Sequence, residues 1–105
     1  MKKVPKPPDT YEAFVRRYPK LGQAWEALAE AGKDGPLDEK TSRLVKLAVA
    51  IGALREGAVH AGVRKALAAG ITRAEIEQII ALAAGTLGLP ATVAVFSWVN
   101  ERLKK

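Results

Sequence analysis

The chain has 105 residues, 49 % of them hydrophobic, and no cysteine. That length predicts one domain, and the apolar share is too high for a disordered chain. The missing thiol excludes disulfides, thiol catalysis, Cys-ligated zinc and iron–sulfur clusters. The net charge is +6, but Lys2, Lys3, Lys6, Lys104 and Lys105 place much of the excess at the ends. These read as solvated tails, so no nucleic-acid partner is expected. No apolar run follows the basic start "MKKVPKPP", so no secretory signal is read there and a cytoplasmic location is expected.

Residues 1–8, with three prolines and three lysines, read as an extended basic arm. Residues 9–105 read as a single all-α domain of about six helices, because Ala, Leu, Val and Ile dominate and aromatics are few. "DTYEAF" predicts a helix start capped by Asp9 or Thr10, and Pro19 ends or kinks that helix after Tyr18. A second helix over "PKLGQAWEALAEAG" sets Leu21, Trp25 and Leu28 on one face and stops at Gly32. After the break "GKDGPLD", Asp38 opens a third helix. Its run from Leu44 to Leu54 has Lys46 as the only charge before Arg55, which predicts burial on most sides.

The next segment, "LREGAVHAGVRKALAAG", gives a helix with Val59, Val63, Ala66 and Leu67 on one stripe and an end at Gly70. "TRAEIEQIIALAAG" follows, with Thr72 and Glu75 spaced as a capping box and Ile76, Ile79, Ile80 and Ala83 as its core face. "LGLP" breaks the chain, and Pro90 suits the first turn of a last helix to about Leu103. From Ile79 to Val99 no residue is charged. Gly85, Gly88 and Pro90 interrupt that stretch, so it reads as two buried helices meeting at a turn, with no membrane span. The apolar surplus points to burial between copies of the chain.

Candidate chemistry is sparse. The only histidine, His60, lies four residues after Glu56, a spacing that lets the two meet on one helix face. The pair can relay a proton, or supply two metal ligands that need others from elsewhere, or be two polar groups on one face. GxSxG, P-loop and dinucleotide motifs are absent, and Gly85 and Gly88 have no preceding strand to make a phosphate loop. Phe96 and Trp98 read as core or interface packing, with a ligand-lining Trp98 as the alternative.

The ordered segments "LDEKTSRLVKLAVAIGAL", "EGAVHAGVRKALAAGITRAEIEQII" and "LGLPATVAVFSWV" resemble the carboxymuconolactone decarboxylase family, whose fold is the all-helical AhpD-like one. The resemblance covers about Asp38 to Leu103 and implies a trimer or hexamer of identical chains. Redox members carry a glutamate, a Cys-x-x-Cys pair and a histidine. Aligned on "VRKALAAGIT", those positions fall on Arg43, Arg55, Ala58 and Gly62, so the resemblance carries no thiol peroxidase chemistry here. A cysteine-free branch with "EGA(V)H-x-H", "TLGFP" and Trp segments is closer, although Gly62 stands where its second histidine would be.

That likeness implies acid–base chemistry without a cofactor on a small carboxylated or lactone-type molecule. His60 is then the acid–base group and Glu56 orients it, at the mouth of a small apolar pocket near a subunit interface. The family positions Arg43, Arg55, Ala58, Gly62 and Trp98 would surround them. No metal is called for, with His60 as the one candidate ligand. The alternative is an oligomeric module that keeps the fold and has lost the chemistry.

Overall fold

A computed structural model of the protein describes the backbone of residues 7–103 and the side chains of residues 10–103. The described residues form six helices and no strand: α1 (Pro7–Arg17), α2 (Pro19–Gly32), α3 (Glu39–Gly52), α4 (Glu56–Ala68), α5 (Arg73–Leu87) and α6 (Leu89–Leu103). The all-α expectation therefore holds. Residues 1–6 of the expected arm lie outside the described residues. Pro7 and Pro8 are already helical, so the helix begins before Asp9 and Thr10, the expected cap positions. Proline tolerates this position because its fixed φ suits a helix start and its missing N–H would have no partner there.

The chain separates into two compact units, one ending at Pro36 and one beginning at Leu37. In the first, α1 and α2 approach closely at Gly22, where an added Cβ would lie 2.9 Å from the Val15 side chain. The Phe14 and Tyr18 rings sit 5.4 Å apart, and the Arg17 guanidinium lies 4.7 Å from the Tyr18 centroid. The stripe predicted on α2 forms but stays exposed: Leu21, Trp25 and Leu28 all face outward.

The second unit holds the core. Leu47 and Ile51 of α3, Val59, Val63 and Ala66 of α4, Ile71, Ile76 and Ile80 of α5 and its lead-in, and Val95 and Val99 of α6 are buried. Each fully buried Val or Ile contributes roughly 1.5–3 kcal/mol by leaving water. Helix α4 packs on α3 and α6, and α5 packs on the same two, while α4 and α5 meet only lightly. The run Leu44–Leu54 is less buried than its composition predicts. Neighbours cover α3 on the Leu47/Ile51 side, leaving Val45, Val49 and Leu54 exposed. Leu67 is likewise exposed, at the margin of the α4 stripe.

Local chemistry sets the helix ends. The Asp38 carboxylate accepts from the Thr41 N–H at 2.7 Å. The Thr72 hydroxyl accepts from the Glu75 N–H at 3.1 Å, and the Glu75 carboxylate accepts from the Thr72 N–H at 2.9 Å, completing the capping box. Helices α3 and α4 both end in paired reverse bonds. Arg55 N–H reaches Ala50 O and Leu54 N–H reaches Ile51 O, and the same pattern joins Ile71 to Ala66 and Gly70 to Leu67. The left-handed residue this motif needs is Gly70 after α4 but Leu54 after α3, at φ 55°. A leucine there costs about 1–2 kcal/mol relative to the right-handed region. That turn sets the first residue of α4, Glu56.

Glu75 also pairs with Lys40 of α3 at 2.7 Å. The Lys40 ammonium, then the Thr72 N–H, hold its carboxyl below the ordinary value of 4.5. A lowered folded-state value means that the stability is present above the unfolded value and is lost as pH falls through the folded one. Thermal melts of Glu75→Gln against the parent should therefore show a lower Tm for the variant at pH 7. The gap should close as pH drops below about 4, the unfolded carboxylate range.

Candidate functional site

Along α4 the buried stripe runs Val59, Val63, Ala66. His60 follows Val59, so it is rotated to the margin of that stripe, where its side chain is 18 % exposed. Glu56 lies one turn earlier on the same margin. From α6, Glu101 and Arg102 reach the same place. The last turn of α6 is held by buried Val99 and by the Arg73 guanidinium, which donates to the Asn100 side-chain oxygen at 3.2 Å.

Four charged or titratable groups meet there. His60 Nε2 lies 3.8 Å from a Glu56 oxygen and 3.7 Å from a Glu101 oxygen. Both distances are beyond hydrogen-bond reach, and Nε2 is buried without a hydrogen-bond partner. On the other side of the ring, Arg102 Nη2 lies 3.4 Å from Nδ1. Glu56, His60 and Glu101 can each offer one ligand atom to a metal, all within 4.8 Å of one another. A histidine that binds a metal through Nε2 keeps its proton on Nδ1 and donates it to an acceptor. Here Nδ1 faces a guanidinium, which only donates. The donor set fits proton transfer better than cation binding.

The sequence correctly brings Glu56 and His60 together, although at 3.8 Å they stop short of a hydrogen bond. It misses Glu101 and Arg102, which stand 41 and 42 positions after His60. The available signal was their place: they are the first charges after the uncharged run Ile79–Val99. An apolar groove is found apart from this pair. A groove of about 590 Å³ runs between α3 and α5, lined by Leu44, Val45, Ile79 and Leu82 with Thr41 and Gln78, and neither Glu56 nor His60 borders it.

Among the described residues, no hydrogen bond or ion pair joins the other family positions to the cluster. Arg43, on α3, belongs to a group of cations around Lys65. Burial, followed by Arg43, Lys46 and Arg64, pushes the Lys65 ammonium below its ordinary value. Arg55 is the exposed residue just before α4, and Ala58 is exposed on its first turn. Trp98 packs against the core as expected, while Phe96 is exposed. Gly62 is where α4 touches α3: an added Cβ would lie 3.0 Å from Leu47 Cδ1.

The sequence model of the carboxymuconolactone decarboxylase family matches residues 19–101, which takes in α2 as well as α3 to α5 and most of α6. No curated protein and no solved structure matches the chain.

The position of Gly62 makes its lack of a side chain a packing requirement. Leu47 is fully buried, so it can give way only by shifting against other core side chains. Gly62→Leu is expected to lower stability by about 1–3 kcal/mol in denaturant unfolding, the usual cost of overfilling a packed contact.

Proposed function

The chain belongs to the carboxymuconolactone decarboxylase family, and on that premise we propose that His60 is the acid–base group of a reaction on a small carboxylated or lactone-type molecule. Glu56 orients the ring, and no cofactor takes part. The observation that carries this reading is the state of His60 Nε2: buried, without a hydrogen-bond partner, and flanked by two carboxylates at 3.7 and 3.8 Å. An unsatisfied buried donor or acceptor costs about 1–3 kcal/mol, and a substrate oxygen that displaces one of the exposed carboxylates and reaches Nε2 would recover that cost.

The chemistry needs little more. When a carboxylate leaves as carbon dioxide, the carbon it leaves keeps the electron pair and must gain a proton. Nε2 donates that proton, and the ring regains one from water, with Glu56 and Glu101 within one bridging water of the ring.

The second reading is an oligomeric module without chemistry. It is favoured by the placement of the α3–α5 groove away from His60. Val45, Val49, Leu82, Leu89 and Val93 are exposed apolar side chains that suit self-association into a trimer or hexamer.

The readings separate in one assay, release of carbon dioxide from carboxymuconolactone by the full chain. The acid–base reading expects turnover that falls by about 10²–10⁴-fold in His60→Ala and by less in Glu56→Gln. Unchanged turnover in His60→Ala overturns it, and no turnover or ligand binding by the parent chain supports the module.

A further inference from the structure

The two nitrogens of His60 meet opposite environments. Nε2 faces the carboxylates of Glu56 on α4 and Glu101 on α6, and Nδ1 faces the guanidinium of Arg102, also on α6. A neutral imidazole carries one proton, and its partners decide which nitrogen holds it. A guanidinium has five N–H donors and no acceptor, so the nitrogen it faces must present a lone pair.

We propose that Arg102 is a positioning residue that fixes the tautomer of His60, keeping the proton of the neutral ring on Nε2, between Glu56 and Glu101. The resting site is then charged with its proton on the buried, unpartnered nitrogen. A substrate that reaches this nitrogen meets an N–H donor, so the neutral ring offers it a hydrogen bond and not a lone pair. This deepens the acid–base reading of the same site and rests on it for what that donor meets, but the tautomer itself is observable without any substrate.

Arg102 can do this because its place is built in. Val99, one turn earlier on α6, is buried in the core, and Asn100 accepts from Arg73 of α5. Adjacent residues in the last turn of α6 therefore send a carboxylate to one nitrogen of the ring and a guanidinium to the other.

A single histidine makes the test unambiguous. Long-range ¹H–¹⁵N correlation of the ¹⁵N-labelled full chain, recorded at alkaline pH where the ring is neutral, reads which nitrogen is protonated. The carboxylates also favour a proton on Nε2, so Glu56→Gln/Glu101→Gln serves as the background that isolates Arg102. The parent chain and this double variant are both expected to show the proton held on Nε2 alone. Adding Arg102→Met should lose the single-tautomer signature and give averaged shifts at both nitrogens. Adding Arg102→Lys, which keeps a cationic donor, should restore it.

A proton on Nδ1 in the parent chain overturns the proposal. So does averaging already present in the double variant, or an unchanged pure tautomer after Arg102→Met. Loss of decarboxylase activity alone bears on the acid–base reading and leaves the tautomer result standing.

Discussion

The second unit depends on how α4 is wedged between α3 and α6. Val59, Val63 and Ala66 fill the core on one stripe, and Gly62 lets α3 come close enough for Leu47 to lie against the α4 backbone. A helix fixed on two sides has little freedom to rotate. Because His60 is the residue after Val59, the same wedge brings the imidazole to the α4–α6 seam. The packing stripe, set by a period near four, thus determines which polar side chains face α6.

What those side chains do follows from charge and burial. The ring is mostly withdrawn from water, while Glu56 and Glu101 are exposed and Arg102 is half-buried, so water screens the charges more than it reaches the ring. Two carboxylates and one guanidinium leave the cluster one negative charge in excess while His60 is neutral. This contrasts with the net +6 of the chain and with the cations gathered around Lys65. Carboxylates on one ring nitrogen and a pure donor on the other make the two nitrogens inequivalent, which an acid–base residue needs if it is to give up a proton in one direction.

The parts of the structure readable from sequence were those fixed by neighbours in the chain. Asp38 with Thr41, and Thr72 with Glu75, are three apart and cap as their spacing requires. Gly70 after α4, Pro90 in the first turn of α6 and the Glu56–His60 spacing are equally local. The family resemblance extended this to the fold. Features that depend on which helix lies beside which were not readable. Val45 and Val49 share an apolar run with Leu47 and Ile51 but are exposed, because α3 is covered on one side only. Gly62 looks like a vacated histidine position until Leu47 is seen against it. Glu101 and Arg102 join His60 only because α6 packs on α4, a contact that no short spacing encodes.

On the proposed acid–base reading, a small molecule is acted on at the cluster in the α4–α6 seam and not in the α3–α5 groove. A crystal structure of the chain with an unreactive analogue of a carboxylated lactone tests this most directly. A polar atom of the analogue is expected within about 2.7–3.2 Å of His60 Nε2, the range of an ordinary hydrogen bond. An analogue seated only among Leu44, Val45, Ile79 and Leu82, with the surroundings of His60 unchanged, would contradict it.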